Sequence, residues 1–279
     1  MEKVCSVVCV LACAAALAQA GVDLNGTPWT GYMGGGDPTA LLVASSGGEL
    51  TMASQGTFWN PDYDDVPDGD YGPFLYMSVT GNFVATTRVT GFAGAVDAQV
   101  FHNYGGIQAR TPGGEVSNNE DIVQIGYFPT WTGHIAWSHN DNVREEGGFT
   151  VPIWVGDSYA TAEAYPYLQL ERSGDDFHFR ISTDGATWIP LTEESVLYTG
   201  AETPLVRTRE DMPDTLQLGL MHGMASFDPG GFIEYDFFEV RQGGYLVFSD
   251  DFSADHVFIP EPASLLLLGL GALAIRRRR

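Results

Sequence analysis

Beyond Cys13 this 279-residue chain has no cysteine, and beyond Lys3 it has no lysine. The first absence excludes disulfides, free thiols and cysteine-ligated metal from everything downstream of the leader, so stability must come from the core alone. The second leaves eight arginines against thirty-five acids between Gly21 and Pro262, a formal charge of −27. Nucleic acid and anionic lipid are poor partners for such a chain, because binding them relies on neutralising phosphates. The charge suits solubility, or an affinity for divalent cations or basic partners. Also missing are a His-Glu-x-x-His pair and a glycine-flanked nucleophilic serine. No signature of metal-dependent or acyl-transfer catalysis is therefore present.

The two ends are informative. Met1-Glu2-Lys3, the apolar stretch Val4 to Leu17 and the small-x-small site Ala18-Gln19-Ala20 read as a secretory signal peptide over residues 1–20. All three cysteines fall inside it. Val10-Leu11-Ala12 before Cys13 offers a lipoprotein cleavage box as a second reading. At the other end, Pro260-Glu261-Pro262 precedes thirteen uncharged residues, Ala263 to Ile275, and then Arg276-Arg277-Arg278-Arg279. An apolar span followed by a basic cluster is a stop-transfer signal. A C-terminal transmembrane helix and tail are therefore expected over 263–279, joined by a linker over 256–262. The prolines cannot continue a helix and hold the linker extended. Thirteen residues span about 20 Å as a helix against an apolar bilayer core of about 30 Å, so the arginines must snorkel.

This order of Pro-Glu-Pro, short span and arginine tail resembles the PEP-CTERM sorting signal of Gram-negative bacteria. The resemblance implies an exosortase-type membrane protease as partner, acting at Pro260-Glu261-Pro262. It also implies export, a stay in the inner membrane, and delivery to the cell surface or extracellular matrix. An ordinary C-terminal anchor is the alternative.

Between the ends, short alternating runs are split by Gly, Asn, Asp and Pro, the pattern of an all-β, antiparallel sandwich in one domain over 21–255. Strands are expected at Glu49–Ser54, Phe74–Val79, Asn82–Val89, Ile107–Arg110, Ile122–Phe128, His134–His139, Tyr167–Arg172, Phe177–Ser182, Trp188–Thr192, Leu216–His222 and Phe232–Val240. In residues 167–191, Leu168 and Leu170, then Phe177, Phe179 and Ile181, alternate with polar residues around the turns Gly174-Asp175-Asp176 and Thr183-Asp184-Gly185. Two such hairpins make a meander with one apolar face. Residues 55–73 and 141–166 read as long polar loops.

The run Asn82 to Val89 followed by Gly105-Gly106-Ile107-Gln108-Ala109-Arg110, the hairpins from Leu168 to Trp188, and Leu216 to Leu220 with Tyr235 to Val240 resemble concanavalin A-like lectin/glucanase domains. That resemblance implies a jelly-roll sandwich acting on carbohydrate. Residues 21–73 do not match it, and Asp250-Asp251-Phe252-Ser253 looks more like the start of such a domain than its finish. The superfamily's β-glucan-cleaving members carry their acids on one strand face as Glu-x-Asp-x-x-Glu. Here Glu120-Asp121-Ile122-Val123-Gln124 has adjacent acids on opposite faces and an amide at the end. A non-catalytic, lectin-like role follows, with extracellular polysaccharide as the partner. A ligand-free structural matrix protein and a glycan-cleaving enzyme with another acid pair are the alternatives.

Trp59, Tyr63 and Trp131 are the candidate carbohydrate-stacking residues, since exposed rings pack on sugar CH faces. Asp62, Asp64, Asp65, Asp68 and Asp70 lie close enough in sequence to wrap Ca²⁺, though not in EF-hand order; a solvated loop is the alternative. Ser182-Thr183-Asp184-Gly185-Ala186-Thr187-Trp188 is similar to the Asp-box turn of sialidase-like propellers, one residue short. That similarity implies that Asp184 ties the hairpin and that Trp188 packs beneath it in the core.

Overall fold

The computed structural model describes residues 26–33, 42–54, 72–93, 103–112, 122–128, 133–139, 154–155, 158–159, 164–191, 204–224 and 231–258. The strands among them are β1 (Gly31–Met33), β2 (Leu42–Ser46), β3 (Glu49–Ala53), β4 (Phe74–Thr80), β5 (Phe83–Ala93), β6 (Asn103–Arg110), β7 (Ile122–Phe128), β8 (Gly133–His139), β9 (Trp154–Val155), β10 (Ser158–Tyr159), β11 (Tyr167–Ser173), β12 (Asp176–Ser182), β13 (Ile189–Pro190), β14 (Val206–Thr208), β15 (Thr215–Met224), β16 (Phe232–Gln242), β17 (Tyr245–Asp250) and β18 (His256–Phe258). One sheet has six strands in the order β1-β4-β15-β6-β7-β8. The other has ten, along β13-β12-β11-β5-β16-β3-β2-β18, with β14 beside β12 and β17 beside β16; β9 and β10 form a separate ribbon.

Period-two alternation builds the sandwich. From the six-stranded sheet, Leu75, Val79, Ile107, Ala109, Val123, Ile125, Leu216, Leu218 and Leu220 point inward. From the ten-stranded sheet, Phe83, Ala85, Leu168, Leu170, Phe177, Phe179, Ile181, Ile233 and Val240 meet them in one continuous core. The central strand is β16. It lies against β5, and a bulge shifts its register between Tyr235 and Phe238, where the Thr87 hydroxyl donates to the Phe237 carbonyl at 2.6 Å.

Trp29 and the segment Asp250–Ser253 come together across the length of the domain. The Trp29 ring packs against Phe238, Phe248 and Phe252 at centroid distances of 5.3, 4.9 and 6.4 Å, and its Nε1 donates to Asp250 Oδ2 at 2.7 Å. Asp250–Ser253 therefore closes the fold despite its start-like appearance, because it clasps residue 29. Phe252 holds this place with φ at 52°, a left-handed backbone that a bulky residue adopts only when its surroundings fix it.

Two further points adjust the expected boundaries. Strands β1, β2 and β3 bring residues 31–33 and 42–53 into the sheets. At the other end β18 pairs with β2, Phe258 opposite Val43, so residues 256–258 belong to the sandwich rather than to the linker. Among the described residues no helix is long and apolar enough to cross a membrane. The signal peptide of residues 1–20 and the expected span of 263–279 lie outside them.

Candidate binding faces

The candidates Trp59, Tyr63 and Trp131, the acids Asp62, Asp64, Asp65, Asp68 and Asp70, and the tail residues Pro260, Glu261, Pro262, Arg276, Arg277, Arg278 and Arg279 all lie outside the described residues. Among the described residues, no three His, Cys, Asp or Glu side chains gather as a metal site. What the structure adds lies on the outer faces of the two sheets.

The outer face of the six-stranded sheet carries the residues that alternate with the core set. Strand register lines them in rows. Ser78 sits opposite Gln217, Gln217 opposite Arg110, and Arg110 opposite Ile122. In the next row Tyr76 pairs with Gly219, Gly219 with Gln108, Gln108 with Gln124, and Gln124 with Trp137. The outer face of an antiparallel sheet is commonly solvated, yet every residue of β6 is buried. Gln108 is 0 % exposed and Arg110 1 % exposed. Phe74, Tyr104, Ile122 and Met221 are buried here too, outside the main core. The rows open at one end, where Ser78 is exposed and Gln217 half-buried.

Arg110 reaches the Met33 sulfur. Among the described residues, Gln108 makes no hydrogen bond from either amide atom, and Gln217 Oε1 has no partner. Burying one such group unpaired costs about 1–3 kcal/mol. No carboxylate occurs among the described residues of this sheet. Sequence reasoning on β7 treats Gln124 as a missing acid and misses that Gln108 stands opposite it. The available signal was an amide among small residues on β6.

The outer face of the ten-stranded sheet is different. Its charged side chains pair in or near solvent: Arg88 with Asp236, Arg180 with Glu171, and Arg241 with Glu239. Among them lies an open pocket of about 370 Å³ whose lining includes Tyr167, Gln169, Trp188, Phe237, Glu239 and Arg241. Trp188 is thus not in the core. Ile189 pairs with Ile181 and Pro190 with Arg180, so residue 188 falls on the outer side with Arg180. The other half of the expected turn holds. Asp184 Oδ1 accepts from the backbone N–H groups of Thr187 and Ala186 at 2.8 and 2.9 Å, and from the Ser182 hydroxyl at 3.0 Å. These bonds, led by the Thr187 amide, hold the Asp184 carboxyl down at about 2.

A third constellation has the composition of a hydrolytic relay. Ser54 Oγ lies 2.8 Å from His222 Nδ1, and His222 Nε2 lies 2.6 Å from Asn103 Oδ1. The asparagine oxygen can only accept, so Nε2 carries the proton and the serine hydroxyl donates to Nδ1. The serine proton therefore already has its acceptor, but no substrate can arrive: His222 is 0 % exposed and Ser54 1 % exposed. Burial pushes the imidazole down to about 3. This is a polar bolt joining the end of β3 in one sheet to β15 and β6 in the other, and not an active site.

Residues 258–279 match the family described as "PEP-CTERM protein-sorting motif". The C-terminus is a PEP-CTERM sorting motif. It begins at the last residue of β18, so the PEP-CTERM motif and the sandwich abut. No curated protein matches the chain. The PEP-CTERM chain is similar to a solved, functionally unknown protein from Saccharomyces cerevisiae, at 16 % identity over 82 % of this chain and 95 % of that one, with a TM-score of 0.47. It is also similar to a prokaryotic β-1,3-1,4-glucanase (lichenase) derived from a mouse hindgut metagenome, at 8 % identity over 75 % and 97 %, TM-score 0.36. A third is the Bacillus licheniformis β-glucanase, at 12 % identity over 77 % and 98 %, TM-score 0.35. Likenesses this distant say nothing about activity. The sandwich rests on its own strand order.

Proposed function

We propose that this PEP-CTERM protein is exported, anchored by residues 263–279, processed by an exosortase-type protease at Pro260-Glu261-Pro262, and displayed at the cell surface or in the matrix. There the outer face of its concanavalin A-like six-stranded sheet binds polysaccharide without cleaving it. The observation that carries the binding reading is the set of unpaired amides behind the exposed Ser78: half-buried Gln217 with its Oε1 unmet and, deeper in the rows, Gln108 with neither polar atom paired. A sugar hydroxyl answers both needs, since it donates to Oε1 and accepts from Nε2. Gln217, Gln124 and Arg110 continue the rows with the same chemistry, and the open end at Ser78 gives a way in. Retaining hydrolysis needs two carboxyl groups about 5–5.5 Å apart, whereas these rows offer amides and a guanidinium. Trp59, Tyr63 and Trp131 would add stacking from the loops, and Asp62, Asp64, Asp65, Asp68 and Asp70 a calcium-braced loop.

A glycan array with the full-length protein in detergent micelles tests this. Binding to at least one polysaccharide is expected, weakened at least tenfold by Gln108→Ala, with no reducing ends released on prolonged incubation. Release of reducing ends would make the protein an enzyme. Absence of any binding would leave a structural matrix component.

A further inference from the structure

The pocket on the ten-stranded sheet is independent of the amide rows, being on the opposite side of the sandwich. Three rings line it. Tyr167 and Phe237 lie with centroids 6.3 Å apart and planes tilted by 45°, and Trp188 completes the lining. All three are half-buried, so each keeps part of its surface open to solvent.

The rings are held in place by the groups packed around them. The Arg88 guanidinium sits 5.6 Å over the Tyr167 ring, donates to its hydroxyl at 3.4 Å, and is itself paired with Asp236. Gly185, at φ 71°, comes so close that an added Cβ would meet the Tyr167 ring at 2.9 Å. The Asp184 turn fixes the chain just ahead of Trp188 through its bonds to Ser182, Ala186 and Thr187. A preorganised set of rings loses little entropy when it meets a ligand.

The polar part of the lining names the ligand's chemistry. Gln169 Oε1 accepts from Arg180 at 2.8 Å, which leaves the amide NH₂ as a donor. Glu239 and Arg241 pair at 3.2 Å, adding acceptor and donor with no net charge. Donors and acceptors beside flat apolar rings fit a molecule with an apolar face and a hydroxylated edge, which is a pyranose ring. An extended peptide would need strand edges instead. An acidic sugar would meet the −27 charge of the surrounding chain, against a lining whose arginine is already paired. The volume of about 370 Å³ lies within the roughly 300–1,000 Å³ of small-ligand sites.

We infer that the Tyr167–Trp188–Phe237 pocket is a second carbohydrate site, selective for neutral glycans. One copy of the protein then holds two glycan strands, one on each face of the sandwich; this bridging, though not the pocket itself, rests on the proposed role of the amide rows.

Affinity electrophoresis separates these statements. The full-length protein in detergent is run through gels containing mixed-linkage β-glucan, galactomannan, dextran or, as the anionic control, polygalacturonate. The expected result is retardation by at least one neutral polymer and none by polygalacturonate. Trp188→Ala should raise the apparent Kd at least tenfold without shifting Tm, and Arg241→Ala, at an exposed position, should raise it severalfold. Gln108→Ala should leave a residual interaction that Trp188→Ala then removes. If Trp188→Ala and Arg241→Ala both migrate as the wild type does in every neutral gel, the second site does not exist, whatever Gln108→Ala does. The site is equally refuted if no neutral polymer retards the wild type. If Trp188→Ala abolishes retardation and Gln108→Ala changes nothing, the pocket stands and the amide rows are not a glycan site. Bridging is read separately as turbidity of dilute polymer, expected with the wild type and absent with either variant alone; a wild type that leaves the polymer clear does not bridge.

Discussion

The two outer faces of the sandwich treat their polar side chains in opposite ways. On the ten-stranded sheet, β12 and β16 alternate buried and half-exposed residues, and the polar ones pair with each other near solvent. On the six-stranded sheet, β6 is buried throughout, and the Gln108 amide, opposite Gln124, has its bonds unmade among the described residues. Ion pairs as exposed as those on the first face contribute little to folding. The second keeps an unsatisfied amide in the dry, which folding alone gives no reason to retain.

That contrast can be broken by mutation, beginning where the faces should not differ. Beneath them is one core, so Leu218→Ala under the six-stranded face and Leu170→Ala under the other should each destabilise by about 2–5 kcal/mol, measured by urea unfolding. A loss under about 1 kcal/mol at either position would mean that the core is not packed there. Next comes the bolt. His222 titrates at about 3 in the fold and at about 6.5 unfolded. Between those values the unfolded chain binds the extra proton. Stability from this group is therefore complete above pH 6.5 and is lost on acidification, at up to about 1.4 kcal/mol per pH unit. Melting curves from pH 7 to pH 4 should fall less steeply for His222→Gln than for the wild type.

The faces themselves separate with smaller effects. Gln108→Met removes both unmade bonds while keeping the shape, and should raise stability by about 1–3 kcal/mol while weakening glycan binding. A gain in Tm with binding untouched would deny the face its function. On the other side, Arg241→Ala should change stability by no more than about 0.5 kcal/mol, because an exposed ion pair contributes little. A larger loss there would mean that this face too is structural.

Alternation is what made most of the fold readable. Leu168 and Leu170, then Phe177, Phe179 and Ile181, announce β11 and β12 because one side is core and the other wet. Where both sides are covered the pattern vanishes, so only the second half of β6 was legible, from Ile107, although the strand begins at Asn103. Two hairpins went unread despite a usable signal. Gly47-Gly48 and Gly243-Gly244 all have positive φ, and such a pair between strands is a tight hairpin turn. They close β2 onto β3 and β16 onto β17. Trp188 was misplaced because the Asp184 turn suggests a ring tucked beneath, while strand parity, available only with the register of β13, puts it outside. The amide rows could not be read at all, since they exist only when β4, β15, β6 and β7 lie in register.

The seating of β18 sets how far the domain can stand from the bilayer. Phe258 is buried and held in the sheet, and the Ser45 hydroxyl donates to the Ala254 carbonyl just ahead of the strand at 2.6 Å. From Phe258 to Ala263 there are five residues, a reach of at most about 18 Å fully stretched. With residues 263–279 anchored as proposed, a membrane-bound protease must work in a gap less than about twice the spacing of packed sheets, with the β2–β18 edge as its ceiling. Peeling the three residues of β18 from β2 would add about 10 Å of slack. Under the proposed anchoring and cleavage, the stability of one short edge strand would set the room in which the chain is cut.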